Sequence, residues 1–186
     1  MLKYIELTMI RNDTKNIPQF ELPEGFSIRH FRESDLQLWA DIETAAGEFK
    51  TTDEALQQLQ TEFIPYIKEF EQRSLFLLNK QGTGIGTGTA WYNKRFRDEE
   101  YGRVHWIGIH PEYQGQNLAK PLVSAVIDIL RQRHAKLYLT TQTTSYKAVK
   151  VYLDFGFIPL IEGDDDREGW EMLLSVLHYP RLRMFL

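Results

Sequence analysis

The chain has 186 residues, of which 42% are apolar and 13% aromatic, with 22 basic against 26 acidic side chains and a net charge of −4. That balance suits one folded domain over residues 1–186, speaks against disorder, and disfavours nucleic acid or an anionic membrane as partner, since those affinities come from neutralising phosphates. Cysteine is absent, which removes disulfides, thiolate metal sites and cysteine nucleophiles together and leaves the redox compartment open.

Residues 2–10 alternate in the manner of a strand, with Lys3 and Glu6 interrupting any apolar run of secretory type. No uninterrupted apolar stretch of about 18 residues exists, so no membrane span is expected and the default location is the cytoplasm. A second strand is predicted over 25–31. Ser34 with Gln37 has capping-box spacing, which predicts a helix carrying Leu36, Trp39, Ile42 and Ala46 on one stripe. Thr51 with Glu54 repeats that signal for a second helix through Leu56, Leu59 and Phe63, kinked or ended by Pro65.

From Ser74 the period changes. Residues 74–79 and 84–92 read as a hairpin around Lys80-Gln81-Gly82, and 102–110 as a further strand stopped by Pro111. A long helix is expected over about 118–133, then a strand at 136–141, a helix at 145–155 ended by Gly156, and a strand at 157–161. The acidic triplet Asp164-Asp165-Asp166 reads as a solvated loop leading to a last strand, 170–177. The helix joining 102–110 to 136–141 is a crossover, which makes those strands parallel in a mixed α/β sheet.

The most informative segment is Ile107-Gly108-Ile109-His110-Pro111-Glu112-Tyr113-Gln114-Gly115-Gln116-Asn117-Leu118-Ala119-Lys120. It leaves a strand and enters a helix through turn-tolerant residues, and the unpaired N–H groups of such a helix start suit a phosphate. The same residues also serve a purely structural tight turn.

Here the chain resembles the GCN5-related N-acetyltransferases (GNAT). Gln114-Gly115-Gln116-Asn117-Leu118-Ala119 is similar to that family's acyl-CoA-binding turn, with Gln114 and Ala119 matching and Asn117 where the family usually has Gly. Asn is the non-glycine residue that best tolerates a positive φ, so the turn is expected to survive. Downstream, Ser145, Ala148, Tyr152, Gly156 and Phe157 follow the family's second signature, with Ser145 in place of its leading Asn.

The resemblance implies a single-domain GNAT fold. Its sheet would be mixed and mostly antiparallel, with helices on both faces and a parallel pair splayed at the acyl-CoA site. It further implies transfer of an acetyl group from acetyl-CoA, a co-substrate, to an amine of a small molecule or peptide, without a metal. By the same analogy the N–H of Ile109 contacts pantetheine, Ile107 or Gly108 serves the thioester oxygen, and Gly115, Gln116, Asn117, Leu118, Ala119 and Lys120 receive the pyrophosphate. Ser145 completes the cofactor-binding set. A homodimer is compatible with this reading. A non-catalytic acyl-CoA sensor or an interaction module on the same fold are the other classes it admits.

An alkyl amine with pKa of about 10.4 arrives protonated, so a base is needed, while the departing thiolate needs an acid. Tyr152 stands where the family's tyrosine meets the CoA sulfur and is the expected acid. For the base, Arg103, His105 and Ile107 share one face if the strand alternates, and His105 alone of these takes a proton near pH 7; Glu43 and Glu48 of the first helix are the fallback. With no cysteine to carry an acyl group, transfer is expected to be direct. The run Gly84-Ile85-Gly86-Thr87-Gly88 lacks the following helix of a dinucleotide site and reads as a crowded hairpin strand. His105 and His110 have no third ligand and predict no metal centre. Trp39, Phe49, Phe63, Tyr66 and Phe70, with Glu43 and Glu48, suit an amine acceptor but equally a core.

Overall fold

In a computed structural model, residues 2–186 are described. In chain order the elements are β1 (Glu6–Arg11), β2 (Ser27–His30), α1 (Leu36–Ala46), α2 (Thr52–Glu62), α3 (Ile67–Arg73), β3 (Ser74–Leu78), β4 (Gly84–Phe96), β5 (Glu99–Ile109), α4 (Ala119–Leu130), β6 (Leu137–Gln142), α5 (Tyr146–Asp154), β7 (Ile158–Leu160) and α6 (Asp164–Leu177). Among the described residues the strands form one seven-stranded sheet in the order β2-β3-β4-β5-β6-β1-β7. It is mixed, and β5 with β6 is its parallel pair, as the crossover through α4 requires.

The chain divides into two compact units, with β4 and β5 continuing from one into the other. The larger comprises residues 19–92 and 103–133. Its core joins Trp39, Ala40 and Ile42 of α1 to Ala55 and Leu59 of α2, Phe70 of α3, Phe76 of β3, and Phe31 and Phe63. Phe63 stacks on Phe70 at 4.2 Å between ring centres, and Phe31 meets Phe70 edge-on at 4.7 Å. On the opposite face of the strands lies α4. Cβ atoms added to Gly86 and Gly88 would come within 2.9 Å of the Gly108 carbonyl and 2.8 Å of Val126, so these glycines permit close packing and form no dinucleotide loop.

The other unit comprises residues 1–18, 93–102 and 134–186. β1 is its spine, pairing antiparallel with β6 on one side and β7 on the other. Leu7 and Met9 are fully buried, and α6 approaches so closely that a Cβ on Gly169 would stand 2.8 Å from Leu7. The Arg97-Asp98 turn between β4 and β5 has both residues at positive φ, the primed turn that matches strand twist.

Several expectations change. Residues 170–177 are not a strand: they lie in α6, where Trp170, Leu173 and Leu177 are buried at helical spacing. The acidic triplet is that helix's first turn, favoured by the dipole, and Asp166 accepts from the N–H groups of Glu162 and Gly163. α1 is opened by Asp35, which accepts from the Arg32 N–H at 2.8 Å, rather than by Ser34. Thr51 caps α2 as expected, accepting from the Glu54 N–H at 3.2 Å. Pro65 ends that helix in a short turn, after which a separate α3 forms.

Candidate functional site

The strand β5 holds the side chains that matter. Trp106 has φ of +47°, a left-handed residue inside a strand, which is the mark of a bulge. Alternation is broken there, and consecutive side chains, His105 and Trp106, reach one carboxylate. His105 Nε2 lies 2.7 Å from Glu62 Oε1, and Trp106 Nε1 donates to Glu62 Oε2 at 3.1 Å. Ile107 does not continue the face of His105: its side chain lies with Leu122 and Val126 of α4, around the site of a Cβ added to Gly88. Gly108 returns to the α1 face, beneath Glu43.

Glu62 is the last residue of α2, where Gln58 one turn earlier also donates to it at 3.0 Å. Burial alone pushes its carboxyl up, but the hydrogen bond and charge of His105, with the bonds from Gln58 and Trp106, bring it down to about 2. Burial pushes His105 down to about 4 against the pull of Glu62, with Arg103 adding to the fall. The imidazole is therefore neutral at neutral pH. An ionised carboxylate only accepts, so the ring hydrogen sits on Nε2 and Nδ1 keeps its lone pair.

Around this pair stand aromatic rings. Phe49 stacks on Trp106 at 5.1 Å, Trp39 meets Trp106 edge-on at 5.7 Å, and Phe63 lies 6.1 Å from the His105 ring. Glu43 of α1 is fully buried, with Oε1 bonded to the Thr87 hydroxyl and Oε2 without a partner. Burial pushes this carboxyl up to about 8; the charge of Glu48 adds to the rise and Thr87 opposes it. Neither Glu62 nor Thr87 carries a motif, and only packing reveals them.

Beyond β5, a short turn over Pro111–Tyr113 leads to the start of α4. Gly115 and Asn117 have φ of +78° and +60°, so Asn117 holds a left-handed conformation of the kind glycine favours. Gln114 to Asn117 are exposed, and a Cβ on Gly115 would meet nothing within 4 Å. The Gln114 side chain donates to the Ile109 carbonyl at 2.9 Å and Gln116 to the Glu112 carbonyl at 3.2 Å, so both amides brace the turn itself. Leu118 is buried as the helix opens, and the Lys120 ammonium stands 4.8 Å from the Phe20 ring centre. The exposed left-handed turn ahead of a helix fits a phosphate.

Two expected residues belong to the other unit. Tyr152 is a buried residue of α5, 6.3 Å edge-on from Phe157, and α5 ends at Gly156 with φ of +78°. Ser145 precedes α5 and its hydroxyl accepts from Gln142 Nε2 at 2.7 Å. Among the described residues no three His, Asp or Glu side chains gather as metal ligands, and no helix is long and apolar enough to cross a membrane.

Known proteins share this design. The chain is 29% identical over 147 residues to a mycothiol acetyltransferase from Streptomyces coelicolor, covering 77% of this chain and 46% of that protein. It thus spans about half the length of the curated relatives it matches. A GCN5-related N-acetyltransferase from Sphaerobacter thermophilus superposes with a TM-score of 0.67 at 18% identity, covering 84% of this chain and 49% of that one. The ribosomal-protein-S18-alanine N-acetyltransferase of Escherichia coli superposes at 0.54 with 22% identity, over 70% of this chain and 76% of that one. The model of the acetyltransferase (GNAT) family matches residues 35–157, from the cap of α1 to the end of the second signature, and the chain belongs to that family.

Proposed function

We propose that the protein transfers an acetyl group from acetyl-CoA directly to an amine on a small molecule or a peptide. The observation that carries this reading is the exposed turn at residues 114–117, with Gly115 and Asn117 both left-handed ahead of α4. Its backbone N–H groups and the helix dipole suit a pyrophosphate, and its open side has room for one. When bound, acetyl-CoA supplies an activated acyl group, and the chain's own residues hold it and move protons. Gly115 to Lys120 hold the phosphates. Ile107 or Gly108 offers a main-chain donor near the thioester oxygen, and Ile109 does so to pantetheine.

Neutral His105, held by Glu62 in the Nε2–H form, takes a proton from the acceptor amine at Nδ1, and Tyr152 gives one to the leaving sulfur. The role of Tyr152 and the strand that carries the base come from the family resemblance; the Nε2–H tautomer leaves Nδ1 of His105 free to accept, while burial, which holds the ring at about 4, makes it a weak base. The range of acceptors is supported by the names of similar proteins, which include a mycothiol and a ribosomal-protein-alanine acetyltransferase.

The test is acetyl-CoA-dependent release of free thiol against a panel of small-molecule amines and peptides. Amine-dependent release is expected. Stabilisation by acetyl-CoA with no release from any amine would make the protein an acyl-CoA sensor, and no stabilisation at all would make the turn purely structural.

A further inference from the structure

Asn79, in the turn that joins β3 to β4, has a partner for each kind of polar group it carries. Its N–H donates to the Thr83 carbonyl at 3.0 Å, and its carbonyl accepts from the Gly82 N–H at 2.9 Å. Its side-chain Oδ1 accepts from the N–H groups of Gln81 and Thr83, both at 3.0 Å. Those two donors fix which way the amide faces, since a reversed amide would set its own NH2 against them. Nδ2 is therefore turned out of the hairpin, and it donates to the Tyr113 hydroxyl at 2.9 Å. Asn79 is only 8% exposed, so little water competes for these bonds.

Tyr113 closes the short turn over Pro111–Tyr113, immediately before the exposed stretch 114–117. That segment hangs between two fixed ends. At one, the His110 N–H donates to the Ile85 carbonyl of β4 at 2.8 Å; at the other, Leu118 is buried as α4 opens. The bonds made between those ends are otherwise local. The N–H groups of Tyr113 and Gln114 donate to His110 and Pro111, the Glu112 N–H to His110 Nδ1, and the side chains of Gln114 and Gln116 to Ile109 and Glu112. Among the described residues, Asn79–Tyr113 is the one hydrogen bond that ties residues 111–117 to a distant part of the chain, across 34 positions.

We infer that Asn79 and Tyr113 are positioning residues for acyl-CoA, their hydrogen bond holding the phosphate turn in the shape that receives the pyrophosphate. This rests on the acyl-CoA reading above. The two side chains act through the turn, which is open to solvent, and not on the ligand itself. An untethered turn spends time in shapes whose N–H groups do not converge, and affinity falls by the fraction of time it spends in the competent one. A neutral hydrogen bond weights such an equilibrium by about 3- to 10-fold.

Tyr113→Phe removes the hydroxyl and keeps the half-buried ring. On the full chain, calorimetric titration should show acetyl-CoA binding about 3- to 10-fold more weakly to this variant than to the wild type. In steady-state kinetics the loss should fall on the KM for acetyl-CoA, with kcat at saturation within about twofold of wild type, the pattern of lost ground-state binding. Asn79→Ala should weaken binding at least as much, because it also loosens the hairpin. Adding Tyr113→Phe to it should then cost nothing further, as for two residues that act through one bond.

Wild-type affinity in Tyr113→Phe overturns the inference, and that variant decides alone if Asn79→Ala does not fold. A loss in kcat with affinity unchanged overturns it too, as does a second full loss in the double variant. If the wild type itself binds no acetyl-CoA, the acyl-CoA reading fails and takes this role with it.

Discussion

Glu62 and His105 are joined at 2.7 Å, the carboxylate closing α2 against the imidazole beside the β5 bulge. Replacing Glu62 by Gln should destabilise the protein by about 1–3 kcal/mol at pH 7, because the charge-assisted bonds are lost and the donors that face the new amide nitrogen lose their acceptor. The folded carboxyl titrates at about 2 against 4.5 for the model group. Its contribution is therefore present above pH 4.5 and lost as pH falls towards 2. Urea titrations of both proteins should diverge at pH 7 and converge at the acid end.

Glu43 has the opposite sign. Its folded carboxyl titrates at about 8 against 4.5, so the folded state holds a proton that the unfolded chain has released. Stability from this group is complete below pH 4.5 and declines as pH rises to 8. Wild type should lose stability on the order of a few kcal/mol across that window, and Glu43→Gln should remove the slope. Melting curves at pH 5 and pH 8 decide it; equal slopes in the two proteins would contradict the buried neutral carboxyl.

The turn before α4 separates conformation from contact. Gly115→Ala should cost about 1–2 kcal/mol through its positive φ alone, since nothing stands within 4 Å of the new methyl group. Weaker acetyl-CoA binding should accompany it. Asn117→Gly should bind acetyl-CoA equally or more tightly, because glycine takes φ of +60° without strain. Calorimetric titration of both variants checks this, and a large loss in Asn117→Gly would assign the Asn side chain a specific contact.

Tyr152→Phe should lower kcat by about 100-fold while leaving acetyl-CoA affinity within a few fold, as removal of a general acid does. Steady-state rates beside direct binding distinguish that from a packing defect, which would lower stability as well. Unchanged turnover would return Tyr152 to the role of a buried aromatic.

Much of this was legible in residue order because the signals are local. The Thr51 cap, the break at Pro65, the crossover through α4 and the two signatures each depend on a few neighbouring residues. Residues 170–177 were expected as a strand because the aspartates before them look like a loop, although Trp170, Leu173 and Leu177 stand at helical spacing; the dipole of α6 explains why the aspartates open a helix instead. The Trp106 bulge was hidden, since one left-handed residue in a strand has no composition cue, and it reassigned the faces of everything after it. Glu62 was hidden for a different reason. Its partners lie 43 and 44 positions away, and only the packing of α2 on β5 brings them within reach.

The contact between Glu43 and Gly108 ties two distant positions into one evolutionary unit. A methyl group at 108 would stand 3.1 Å from both carboxyl oxygens, so Gly108→Ala asks the buried carboxyl to give by a few tenths of an ångström, and shortening Glu43 to Asp relieves that contact. Among relatives of this chain the two sites should therefore tend to vary together, a lineage that gives up the glycine gaining room when it withdraws the longer acid.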